Sequence, residues 1–322
     1  MSTDQLRQTI QKLVAEKKIK PAAIASDTGY SKSAVSQWLS GSYKADPSQI
    51  HAAMEGFLKR FETGGAIGFL MTETAQSIFD ACDTASEEGE ITLVIGNPGA
   101  GKTEALKEYR RRFDAPPPSS KIGKEIQAHT DPKPVRRVVY YAVIYRMRPK
   151  TLLQELAREF SVSASGTAAT IANRIVERMR REPTLLVIDE ADHLDVPSLE
   201  TLRHLHDQTG VGLVLAGTHK LEMLFTGGGQ RSVELAQLYS RVGYRVEVGG
   251  VTAEEMETIL TKTFGDVAPS VTAAFNDRCG SSMRLTAKLV QRTRKILDMT
   301  KVPLSVGVVM RAADKTLIGR PS

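Results

Sequence analysis

Eight consecutive residues, Gly96-Asn97-Pro98-Gly99-Ala100-Gly101-Lys102-Thr103, follow the pattern G-x-x-x-x-G-K-[ST]. Such a run suits phosphate chemistry. Glycines let the backbone curl closely enough for its N–H groups to hold phosphate oxygens, and a following helix N-terminus adds a favourable dipole. Both flanks agree: an apolar run at 91–95 reads as a strand and 104–112 as a helix. The whole loop, from Gly96 to Thr103, is therefore expected to bind ATP. Lys102 would reach the β and γ phosphates, and the Thr103 hydroxyl would ligate Mg2+.

A phosphate loop of this kind needs an acidic element at the end of a neighbouring strand. Thr184-Leu185-Leu186-Val187-Ile188-Asp189-Glu190 supplies one, because its apolar run fits a strand buried on both faces and Asp189 emerges at the C-terminal edge. Asp189 is the second expected magnesium ligand. Glu190 is placed to orient and deprotonate an attacking water. Residues 189–192 also spell D-E-A-D, but a helicase of that type needs a second α/β domain, and about 70 helical residues after position 250 are too few for one.

A third constellation occupies residues 24–41. Gly29 supplies a tight turn between two helical segments, Ser31 caps the second, and Ala25, Val35 and Leu39 are spaced to pack together. This resembles the helix-turn-helix of phage repressors, whose second helix enters the major groove of DNA. Ser33, Ser36 and Gln37 would then face base edges beside the cap Ser31, with Lys32 and Lys44 nearer phosphate. Trp38 reads as core. Short polar residues at the reading positions imply weak sequence preference for double-stranded DNA. A helical module that binds protein is the alternative.

The elements that must position these residues fall into four stretches. Residues 1–62 form short helices at 4–16, 21–28, 32–39 and 48–61, and 63–88 reads as a linker or helical connector. From 89 to 249, strand candidates at 91–95, 137–144, 184–188, 211–216 and 244–248 alternate with helices, the pattern of a parallel sheet covered on both faces. The proline-rich stretch 113–135 reads as a surface insertion. Residues 250–322 read as a helical domain with helices at 253–264, 270–278 and 283–299. The expected class is α/β: a three-layer parallel sheet with an all-α domain before it and a helical domain after it.

Bulk properties narrow the context. The chain has 322 residues, 41% hydrophobic and 25% charged, which is ordinary for a globular protein. Its apolar runs are far shorter than the roughly 20 residues of a membrane span, and the N-terminus lacks the pattern of a secretory signal, so a cytoplasmic location in a bacterial or phage-infected cell and no membrane partner are expected. Cys82 and Cys279 lie far apart and read as buried small hydrophobes. Net charge is +6, and residues 100–182 carry 18 Lys and Arg against 9 Asp and Glu. Part of that region should face phosphate, unless it is a locally paired surface.

With these motifs in hand, a resemblance can be stated. Residues 96–111 (GNPGAGKTEALKEYRR), 187–194 (VIDEADHL), 211–219 (VGLVLAGTH) and 226–241 (TGGGQRSVELAQLYSR) resemble the Mu B-like transposition proteins, AAA+ ATPases that capture target DNA for a transposase. The resemblance covers most of the chain. It implies a P-loop AAA+ fold with a C-terminal helical lid, and a homo-oligomer, as a helical filament or ring, on DNA. It further implies that Thr218 acts as a sensor of the γ phosphate. Arg241 resembles the arginine finger offered to a neighbouring subunit, with Arg231 as its competitor, and Arg284 the second sensor on the lid. Basic residues Arg110 to Arg112, Arg136, Arg137, Arg146, Arg148 and Lys150 would contact DNA phosphate. ATP-driven assembly on target DNA, its delivery to a transposase that is thereby stimulated, and disassembly on hydrolysis are the implied activity. A nucleotide-switched transcriptional regulator and a helicase loader are the alternatives.

Overall fold

A computed structural model describes residues 3–15, 21–28, 30–43, 47–62, 69–114, 137–228 and 233–314. Most of the proline-rich stretch 113–135 lies outside them, as do Gly29, Lys44, Arg136 and Arg231. The chain divides into two compact units, one holding the described residues up to Leu70 together with Lys262–Gly265, the other the remaining described residues from Met71.

In the first unit α1 (Thr3–Ala15), α2 (Pro21–Thr28), α3 (Lys32–Leu39) and α4 (Pro47–Glu62) enclose a core that includes Leu6, Ile10, Ile24, Val35, Trp38, Ile50 and Met54. Ser31 caps α3, its hydroxyl accepting from the Ala34 N–H at 3.1 Å. The other end of α3 is held from α1. Arg7 Nε donates to the Trp38 carbonyl at 2.9 Å, and Gln11 Nε2 donates to that of Leu39 at 2.6 Å. Those two bonds satisfy carbonyls that a helix end leaves without intrahelical partners. They also seat Trp38 in the core.

In the second unit, β1 (Ile91–Gly96), β2 (Arg137–Ala142), β3 (Thr184–Asp189), β4 (Gly212–Gly217) and β5 (Val242–Val248) form one parallel sheet in the order β2-β3-β4-β1-β5. Strands β1, β3 and β4 are buried throughout, as their continuous apolar runs require. One face packs Leu93, Val139, Leu186, Ile188 and Leu215 against α7 (Pro149–Glu159), α8 (Ala168–Arg181), α9 (Val196–Thr209) and α10 (His219–Thr226). On the opposite face lie α5 (Glu73–Glu88) and α6 (Lys102–Asp114).

Of the linker or helical connector read over 63–88, the described part is helix α5, which packs as a layer on the sheet, and 63–68 lie outside the described residues. The helix buries Ile78, Phe79, Ala81, Cys82 and Ala85, and it contacts β1, β4 and β5. Its small residues permit a close approach: a Cβ on Gly212 of β4 would stand 2.2 Å from the Ala85 carbonyl oxygen. Alanines buried for closeness carry little hydropathy, so this layer read as a spacer.

After the four-residue α11 (Ala236–Tyr239) and β5 come α12 (Ala253–Phe264), α13 (Pro269–Cys279), α14 (Met283–Thr300) and α15 (Val306–Asp314). Thr252 and Glu255 form a reciprocal capping box at α12, and the second oxygen of Glu255 accepts from Glu73 N at 2.6 Å at the start of α5. One carboxylate thus ties the lid helices to the sheet layer.

Candidate active site

Parallel strands present their C-terminal ends together, and the register does so here. Ile95 of β1 pairs with Gly217 of β4, and Ala142 of β2 pairs with Asp189 of β3. The phosphate loop, the acidic pair and Thr218 therefore meet at one edge, where ligands bind in open α/β sheets.

The loop turns through Gly99 at φ 88° and Gly101 at φ 104°, a region that side chains disfavour. Gly99 has a second constraint, because a Cβ there would lie 2.8 Å from Ser282 Oγ of the lid. Lys102 is buried, and its ammonium donates to the carbonyls of Gly96 at 2.7 Å and Asn97 at 3.2 Å. Burial lowers its pKa from the ordinary lysine value; Asp189, Glu190 and Asp192 oppose that shift, and Arg284 adds to it. A desolvated cation inside a glycine loop at a helix start fits a phosphate ligand. Thr103 follows it in the first turn of α6. Magnesium bound to phosphates asks the protein for only one or two oxygens, and Thr103 and Asp189 could provide them.

Asp189 is almost completely buried. Its Oδ1 accepts from the Glu190 N–H at 2.9 Å, and its Oδ2 accepts from the Tyr140 hydroxyl at 2.9 Å. Burial, then the adjacent carboxylate, pushes the Tyr140 phenol far above the ordinary tyrosine range. Glu190 itself sits past the strand end in a left-handed conformation, φ 56°, and is only partly buried. Such a backbone is costly for a non-glycine residue and recurs where a side chain must be aimed.

Thr218 follows β4 and caps α10, its hydroxyl accepting from Lys220 N at 3.2 Å. Its N–H and its hydroxyl proton both go to Asp192, at 3.3 and 3.1 Å. Asp192, the last residue of the D-E-A-D run, received no role from the sequence. Arg284 enters through its backbone: its N–H donates to the Gly99 carbonyl at 3.3 Å, and its side chain is exposed at the start of α14. Arg241 lies elsewhere, half-exposed, with Nε donating to Asp207 Oδ1 at 3.1 Å. Asp207 also takes a hydrogen bond from Arg203 at 2.6 Å. Although burial works the other way, Arg241 and Arg203 hold its carboxyl below the ordinary range.

Several of the cations expected to meet DNA are engaged locally. Arg111 and Arg112 pair with Glu108, Arg110 with Glu159, and Arg137 with Glu182. Their excess charge is thus partly a locally paired surface, whereas Arg146, Arg148 and Lys150 are exposed. In the first unit Lys32, Ser33, Ser36 and Gln37 are exposed together on α3, and Trp38 is core. Ser31 is exposed too, but its hydroxyl serves the helix cap first.

Residues 85–225 match the family model described as an AAA domain. The chain is 28% identical over 266 residues to the ATP-dependent target DNA activator B of Escherichia phage Mu, covering 80% of this chain and 78% of that protein. It is also 28% identical over 241 residues to the Mu-like prophage FluMu DNA transposition protein B of Haemophilus influenzae, covering 73% and 77%. The chain is thus similar to these B proteins over most of its length and carries an AAA domain. Among solved structures, the Holliday junction branch migration motor RuvB of Thermotoga maritima aligns at 15% identity with a TM-score of 0.48, over 77% of this chain and 70% of that one. The fold is the P-loop AAA+ fold, and such a core is built to bind nucleotide. Among the described residues no helix is long and apolar enough to cross a membrane.

Proposed function

We propose that this chain hydrolyses ATP and uses the nucleotide to assemble on double-stranded DNA, which it delivers to a transposase. The observation that carries the reading is the meeting of Lys102, Asp189, Glu190 and the Asp192-held Thr218 at one sheet edge, in a chain whose relatives are named as target DNA activators. Lys102 binds the β and γ phosphates, Thr103 and Asp189 hold Mg2+, and Glu190 takes the proton of the attacking water. Arg284 reaches the phosphates from the lid. Arg241 completes the site of a neighbouring subunit in a homo-oligomer, and Asp207 must release it to do so. The exposed side of α3 (Lys32, Ser33, Ser36 and Gln37, with Ser31 at its cap) meets DNA as the second helix of a helix-turn-helix, and Arg146, Arg148 and Lys150 add phosphate contacts. Lys44 and Arg231 keep their proposed DNA and finger roles on the sequence alone.

Glu190→Gln tests the reading. The variant should bind ATP as the parent does, lose hydrolysis by about a hundredfold or more, and leave long protected tracts on DNA that persist with ATP. Rapid turnover in that variant would remove Glu190 from the mechanism, and a single short protected site would replace the assembly with an operator-reading regulator.

A further inference from the structure

We infer that Tyr140 is a positioning residue for Asp189, holding that carboxylate in place for the magnesium side of the nucleotide site. The inference rests on the nucleotide-site reading above.

Strand register places the two residues together. Tyr140 pairs with Val187 across β2 and β3, and Asp189 stands two residues beyond Val187, so all three side chains point to one face. Helix α6, which carries Lys102 and Thr103, contacts both strands. Asp189 is 1% exposed, and its two oxygens have different partners: the Glu190 amide takes one, the Tyr140 hydroxyl the other, both at 2.9 Å. The amide is fixed by the backbone. The phenol is the side-chain bond that sets the direction of Oδ2.

Direction matters because Lys102 is close enough for its charge to be felt with that of Asp189. Two opposite charges in a buried site gain by pairing directly, and such a pair would withdraw both from phosphate and metal. Here they have separate partners instead: Lys102 donates to the carbonyls of Gly96 and Asn97, and Asp189 accepts from Tyr140 and Glu190. A phenylalanine would fill the same space between strand and helix. The hydroxyl supplies the bond that holds Oδ2, in the manner of the outer partners that orient metal ligands.

The test is Tyr140→Phe, read by anisotropy of a fluorescent ATP analogue titrated with MgCl2. The Mg2+ concentration giving half of the metal-dependent gain in affinity should rise about tenfold, while affinity in EDTA stays within about twofold. In an Asp189→Asn background the same substitution should add nothing, because the hydroxyl acts through that carboxylate. An unchanged Mg2+ requirement in Tyr140→Phe, or additive effects in the double variant, overturns the inference while leaving nucleotide binding standing. Failure of the parent protein to bind the analogue with or without Mg2+ overturns both.

Discussion

Thr218 and Asp192 are joined twice: the backbone N–H and the side-chain hydroxyl of the threonine both donate to the one carboxylate, at 3.3 and 3.1 Å. The hydroxyl is therefore already engaged, and in the sensor role proposed for it, it would have to leave Asp192 to donate to a γ phosphate. Asp192→Ala should lower ATP turnover by about tenfold to a hundredfold while nucleotide affinity stays within about twofold. Steady-state turnover beside equilibrium binding separates the two. An equal loss in both would make Asp192 a binding residue.

Lys102 gives a dependence on pH. Its pKa is lowered by burial, so the folded protein releases this proton more readily than the unfolded chain does. Between the lowered value and the ordinary 10.5, the unfolded state binds more protons, and the stability contributed by this residue rises with pH. Nucleotide-free protein should therefore gain stability relative to Lys102→Met as the pH climbs towards 10.5, in paired urea denaturations. A gap that widens in the variant's favour has the wrong sign. Lys102→Met should also abolish ATP binding.

Arg241 is held by Asp207 in its own chain, so the action proposed for it on another subunit would have a cis competitor. Arg241→Ala should bind nucleotide normally yet lose about a thousandfold in DNA-stimulated turnover. Mixing it with Glu190→Gln subunits pairs an intact site with an intact finger, and part of the activity should return. No recovery on mixing would confine Arg241 to a structural ion pair.

The first unit offers a stability test and a binding test. Trp38 is 1% exposed at the centre of the helical core, so Trp38→Ala should cost about 3–5 kcal/mol of that unit's stability, read by denaturant titration. Lys32→Ala, on the exposed side of α3, should leave stability within about 0.5 kcal/mol. If Lys32 meets phosphate, the same change reduces the salt slope of DNA affinity by about one. A slope identical to the parent's takes α3 off the DNA.

Local order along the chain determined the phosphate loop, the acidic pair, the five strands and the capped α3, because each depends on spacing within a few residues or on one element's periodicity. The packing of helix α5 on the sheet escaped that reading because small residues such as Ala81 and Ala85 are buried for close approach rather than for hydropathy. The tertiary structure alone decided which remote side chains satisfy each other. Tyr140 meets Asp189 across 49 residues, and Asp207 meets Arg241 across 34. The sheet order β2-β3-β4-β1-β5 makes neighbours of strands remote in sequence, and side chains that satisfy each other across such distances leave no periodic trace in either segment.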